Sequence, residues 1–272
     1  FKADVTKWRV DPVRFLGHAF GVGDLPRPEC NVICGNRTLL CHFGGSGLRR
    51  KGPDDKTYGE NLLAHVLAGN GAPKFPIMLT GVKADKVKSM ATTLASTNGY
   101  DDVLAAAHNV RITEKKFSRF ADPDPDFSPD ESGVLIFPTA AVPIEEYSEQ
   151  ALNSPFDVVF GKHEKKLMLL PTQRPEPLNL FVPYDLAETE QSRALLSRLL
   201  KWADGLPMTP IYLDEYLHMA KAGRYAEIGR TGDGGFFVEQ DGNLPALRFD
   251  RHQGYPDLKR CKGVIGYRRQ KD

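Results

Sequence analysis

Asn36-Arg37-Thr38-Leu39-Leu40-Cys41-His42-Phe43, followed by Gly44-Gly45-Ser46-Gly47, is the stretch on which the fold turns. Its polar opening reads as a turn. From Leu39 to Phe43 the residues are apolar almost without interruption, as expected of a strand buried on both sides rather than one. The glycines then end it. Next comes an amphipathic helix, Thr57 to Ala68, with Leu62, Leu63, Val66 and Leu67 on one face.

The same alternation continues outward. Phe75 to Thr80 is a short apolar strand, a helix runs from about Ala84 to Ser96, a weaker one surrounds Val103 to Ala107, and Asn109 to Thr113 is a further strand. Alternating strands and helices are the mark of parallel α/β architecture. Ala121 to Asp126, with its paired prolines and aspartates, reads as an exposed loop. Val134 to Phe137, Val158 to Phe160, Lys166 to Leu170 and Leu178 to Val182 are candidate strands. Glu188 to Asp204 is the clearest helix, with Leu195, Leu196, Leu199, Leu200 and Ala203 on one stripe and Gly205 as terminator. Pro210 to Leu213 reads as a strand entering a helix from Asp214 to about Lys221. Before the decisive strand, residues 1–35 form a lead-in containing a short helix from Val13 to Phe20. Residues 36–227 form the α/β body, and residues 228–272 a β-rich C-terminal segment with short stretches at Phe236 to Val238, Ala246 to Phe249 and Val264 to Tyr267.

The composition is that of an ordinary folded protein: 272 residues, 36 Lys+Arg against 35 Asp+Glu, and 41% hydrophobic residues. A formal charge of +1 provides no footprint for a phosphate backbone, so no nucleic acid is expected as a partner. The longest apolar runs are too short to cross a bilayer, and no membrane insertion is expected. The chain opens at Phe1 without an apolar leader, which reads as a processed chain or an excised domain. Its four cysteines, Cys30, Cys34, Cys41 and Cys261, do not match zinc-ribbon spacing; unpaired thiols are favoured over a disulfide.

Recognised chemical signatures are missing. Gly44-Gly45-Ser46-Gly47 lacks the spacing of a phosphate loop and of a nucleophile elbow, so on pattern alone it is a flexible turn. The seven histidines include no pair at the i, i+4 spacing of a helical metal site; His42 is distinguished by its place just before the glycines. Asp214 and Glu215 follow a strand directly, where carboxylates either point into a site or favour a helix start, the second being the simpler reading. The basic run from Lys259 to Lys271 reads as a solvated face.

Several segments together resemble one family, the PelA-like polysaccharide deacetylase modules of Pel exopolysaccharide biosynthesis. Trp8 to Leu16 is similar to the lead-in of that module, Asn36 to Phe43 to its first barrel strand, and Leu206 to Tyr216 to its last strand and helix. Asp241 to Arg248 and Gly254 to Leu258 resemble the β-rich segment that follows, while the likeness is weaker from about Arg49 to Pro177. The resemblance implies a distorted (β/α) barrel of the polysaccharide deacetylase type. It also implies a divalent metal as cofactor, removal of acetyl groups from an amino-sugar polymer, a periplasmic or extracellular location and a part in biofilm. Such chemistry needs a metal to activate water, a carboxylate base and a proton donor for the leaving amine.

The departures bear directly on activity. The family's His-Ile-Asp-Gly-Asp-Gly-Phe corresponds here to His42-Phe43-Gly44-Gly45-Ser46-Gly47-Leu48, with both aspartates replaced. Its His-Thr-Tyr-Ser-His-Pro-Phe falls on Glu114 to Phe120, offering Glu114 and Ser118 in place of two histidines. Its late histidine follows a strand like Leu178 to Val182, where this chain has Pro183. Neither Gly nor Pro binds a metal through its side chain, and a serine hydroxyl is a poor substitute for carboxylate or imidazole. The expectation is therefore a pseudoenzyme with no catalytic residues, no metal ligands and no cofactor. It would retain a carbohydrate-binding groove at His42, Ser46, Tyr184, Tyr212, Asp214, Glu215 and Tyr216. A polysaccharide or amino-sugar oligomer and other exopolysaccharide-assembly proteins are the partners this implies. Two alternatives stand beside it: an active hydrolase whose site is rebuilt from His42, His163, Glu114 and Asp185, and a scaffold module of an envelope assembly.

Overall fold

From Thr38 to Gly44 every residue of the decisive stretch is buried, because strands pack against it on both edges and the sheet is covered on both faces. The computed structural model describes residues 12–21, 25–45, 47–68, 73–98, 109–114, 140–141, 177–240, 242, 244–249, 257–260 and 262. The helix expected around Val103 to Ala107, the loop at Ala121 to Asp126 and the strands expected at Val134 to Phe137, Val158 to Phe160, Lys166 to Leu170 and Val264 to Tyr267 lie outside them.

In chain order the elements are α1 (Pro12–Ala19), β1 (Arg27–Glu29), β2 (Val32–Ile33), β3 (Asn36–Gly44), α2 (Tyr58–Asn61), β4 (Ile77–Thr80), α3 (Ala84–Asn98), β5 (Val110–Thr113) and β6 (Ala140–Ala141). There follow β7 (Leu178–Pro183), α4 (Glu190–Asp204), β8 (Thr209–Pro210), α5 (Leu213–Tyr225), β9 (Glu227–Arg230), β10 (Phe236–Glu239) and β11 (Ala246–Arg248). The chain divides into two units. One comprises residues 39–167 and 178–213; the other comprises residues 1–38, 168–177 and 214–272.

The first unit holds a mixed α/β arrangement around a mostly parallel sheet. Five parallel strands lie in the order β5-β4-β3-β7-β6, and β8 also pairs with β3. Among the described residues the sheet does not close on itself. Leu39, Cys41 and Phe43 point to one face, where they meet Ile77, Leu79, Leu180 and Val182 and the helical side chains Leu62, Leu63, Val66, Val87, Leu196, Leu199 and Leu200. Burial pushes the Cys41 thiol up to about 12, so it is a core hydrophobe rather than a nucleophile.

The helices covering this face start where their sequences provide caps. Thr57 Oγ1 accepts the Glu60 N–H at 3.2 Å while the Glu60 carboxylate accepts the Thr57 N–H at 2.7 Å, a capping box that opens α2. Beyond Asn61 the helix widens to a π-helical stretch over Leu62–Leu67, with Ala68 N–H donating to Leu63 C=O at 2.9 Å. Thr189 and Ser192 form the equivalent box at the start of α4, and Gly205 follows its last turn.

In the second unit, the lead-in and the C-terminal segment join through β1, which pairs antiparallel with β11 from Arg27↔Arg248 to Glu29↔Ala246. The Tyr216 hydroxyl, on α5, donates to Asn31 Oδ1. β9 and β10 form a separate antiparallel hairpin. Cys41 is a free, buried thiol. No helix among the described residues is long and apolar enough to cross a membrane.

Candidate functional site

In parallel α/β sheets, loops at the carboxyl ends of strands come together, and side chains there are the first place to look for chemistry. Three such ends are stitched to each other here. The Thr80 hydroxyl, at the end of β4, donates to Phe43 C=O on β3 at 2.8 Å. Tyr184, just after β7, donates through its hydroxyl to Thr80 C=O at 3.0 Å. Burial raises the Tyr184 pKa, so the phenol stays protonated.

The glycine loop leaves this edge through Gly45, whose φ of +98° is open to glycine and strained for other residues. At Gly47 space decides the residue: a Cβ would lie 2.6 Å from Asp185 Oδ1. Asp185 stands in the short 3₁₀ turn Tyr184–Ala187, with Arg50 Nη1 3.9 Å from Oδ1. That oxygen is buried and has no hydrogen-bond partner. Asp54 fastens the loop beyond: it accepts Asn61 Nδ2 at 3.0 Å, and its Oδ2 lies 3.6 Å from Arg193 Nη1, which donates to Ala187 and Glu188 C=O. Partial desolvation works against ionising Asp54, but the hydrogen bonds from Asn61 and Lys56 N–H and the Arg193 charge hold its pKa below the ordinary carboxylate range.

The second face of the sheet carries the polar residues that the apolar face lacks. One row across five strands reads Arg111, Met78, His42, Phe181, Ala141. His42 is fully buried, its ring 5.2 Å from that of Phe181. Burial lowers its pKa to about 4, with Asn179 alongside favouring the protonated form. Even so, both ring nitrogens and both side-chain polar atoms of Asn179 lack a partner in hydrogen-bond geometry. Asn179, opposite Leu40 in the strand register, escaped notice in the sequence because a single polar residue in an apolar strand carries no periodic signal.

The expected groove residues differ in exposure. His42, Tyr184 and Tyr216 are core side chains, between 0% and 1% exposed, and have no surface to offer a sugar; each is corrected to a packing role. Their aromatic or amphipathic bodies fill the interior, while the phenol hydroxyls find partners there. Tyr212 is half-buried, with the Arg111 guanidinium 3.7 Å above its ring centroid. Asp214 and Glu215 occupy the first turn of α5, where carboxylates are favoured by the helix dipole, and belong to the other unit. Ser46 lies outside the described residues.

Among the described residues, the donors at the expected positions do not fit the divalent metal implied by the resemblance. His42 turns its ring into the core, and Gly44 brings no ligand. Glu114 is exposed with its Oε1 3.9 Å from Lys83 Nζ, and Asp185 faces Arg50. His163 and Ser118 lie outside the described residues. Among the described residues no group of three or more His, Cys, Asp or Glu side chains is placed to hold an ion. Comparison with protein-family models, curated proteins and solved structures returns no match for this chain.

Proposed function

We propose that the chain is a catalytically degenerate polysaccharide deacetylase-like domain that binds carbohydrate in exopolysaccharide biosynthesis, outside the cytoplasm. The observation that carries this reading is the carboxyl edge of β3. Where the resembled motif has aspartates the sequence has Gly44 and Ser46, and Gly47 is pressed against Asp185. A distorted (β/α) barrel is supported by strand order. Neighbours in sequence are neighbours in space for β3, β4 and β5 and again for β6 and β7, and the first of these strands lies beside the last. That cyclic order is the one a barrel imposes, whereas a doubly wound sheet places the fourth strand beside the first.

Tyr212 with Arg111 is the half-buried aromatic and cation on which an oligomer would rest in this unit. The test is metal content of the purified chain, acetate release from an acetylated amino-sugar oligomer, and calorimetry with the same oligomer. The expected results are no tight metal, no acetate and weak binding that Tyr212→Ala reduces by roughly three- to tenfold. One equivalent of metal with turnover would overturn the reading in favour of a rebuilt hydrolase.

A further inference from the structure

The β9–β10 hairpin has two unlike faces. Phe236, Val238, Ile228 and Arg230 share one, with the Arg230 guanidinium 5.9 Å from the Phe236 ring centroid and Phe249 against the same ring at 5.8 Å. The other face carries Phe237 opposite Gly229 and Glu239 opposite Glu227. The Phe237 ring lies directly over Gly229: a Cβ there would be 2.4 Å from its Cε1. The missing side chain lets the ring lie down on the hairpin, with Phe237 still 47% exposed.

Beside this ring stand two exposed carboxylates of like charge directly across the ladder, an arrangement that weakens a hairpin. Neither has an ion-pair or hydrogen-bond partner among the described residues. They lie two residues along each strand from the ring, roughly 7 Å. The neighbouring acid in the turn, Asp233, is by contrast satisfied by Thr231 and by Arg260 at 3.0 Å.

We propose that this face binds a sugar bearing a protonated amine. The Phe237 ring takes the apolar C–H face of the pyranose, and Glu227 and Glu239 together take its ammonium. An apolar ring alone would accept any sugar, and two carboxylates alone any cation; side by side they select a de-N-acetylated hexosamine in an oligomer. The proposal rests on the carbohydrate-binding reading above and narrows it to one ligand class and a second location.

The experiment titrates the full chain with a glucosamine oligomer, its N-acetylated counterpart and oligolysine, at low and at moderate salt. Phe237→Ala should weaken both sugar oligomers about fivefold or more. Phe237→Trp, which keeps a stacking ring, should hold or tighten them. Glu227→Gln with Glu239→Gln should weaken only the amine oligomer, by roughly three- to tenfold, and abolish its salt dependence. The same double substitution removes a repulsive pair, so thermal stability should hold or rise and loss of fold is not the explanation. Oligolysine binding as tightly as the amino sugar would overturn the proposal, since the face would then read charge alone. Hairpin variants that bind like wild type while Tyr212→Ala loses binding would overturn the hairpin site and leave the barrel reading standing. If neither oligomer binds, the hairpin site falls, and metal content and acetate release still judge the degenerate barrel independently.

Discussion

On one face of the parallel sheet Leu39, Cys41 and Phe43 pack among Ile77, Leu79, Leu180 and Val182; on the other, Leu40, His42 and Met78 lie beside Asn179 and Phe181. At β3 both faces are closed to solvent, so burial does not separate them there. What separates them is unmatched polarity. The strand residues of the first face leave no buried side-chain nitrogen or oxygen without a partner, whereas the second holds four polar atoms of His42 and Asn179 without partners. Each unpartnered buried group costs about 1–3 kcal/mol. A parallel sheet needs apolar cover on both sides for stability, and the second face tolerates a cost the first does not bear.

The comparison breaks most readily at Phe43, which is fully buried on the apolar face. Phe43→Ala should cost about 3–5 kcal/mol in denaturant unfolding, because a well-packed core relaxes little around the lost ring. A much smaller loss would mean that the apolar face is loosely packed.

The polar face should reveal itself through pH. With the His42 pKa lowered to about 4, the unfolded chain takes up a proton below about 6.5 that the folded chain refuses. Stability contributed by this group is therefore present above pH 6.5, falls as pH drops toward about 4, and levels off below, a change of about 3 kcal/mol in total. His42→Leu should flatten that segment of the stability curve and cost little or nothing at pH 7, since it removes two unpartnered polar atoms. An unchanged acid slope in the variant would assign the effect elsewhere. The smallest of these effects belongs to the edge joining the faces. Tyr184→Phe should cost about 1–3 kcal/mol by removing the hydroxyl partner of Thr80 C=O, and Phe181, which makes no such bond, provides the site for a control substitution.

Local elements were readable because their signals are local. The stripe Leu195, Leu196, Leu199, Leu200, Ala203 repeats at helical spacing, and all five residues are buried on α4. Thr57 and Glu60 announce a helix start three residues apart. The candidate site was read less well for the same reason. His42 stands near a strand end in sequence, yet its ring is enclosed by neighbouring strands; Tyr184 directly follows a strand and Tyr216 lies near a helix start, yet both reach inward to distant partners. The contact of Gly47 with Asp185 and the laying of Phe237 over Gly229 required chain segments to be brought together before they could be recognised.

Periodicity thus sufficed for the alternation of strands and helices and the mostly parallel character of the sheet, since these follow from neighbours along the chain. Which polar residues are entombed, which aromatic rings remain available and which carboxylates face one another followed only from folding. Those properties belong to pairs of residues far apart in sequence, such as Tyr184 and Thr80 or Glu227 and Glu239, and pairing register rather than residue type decides them.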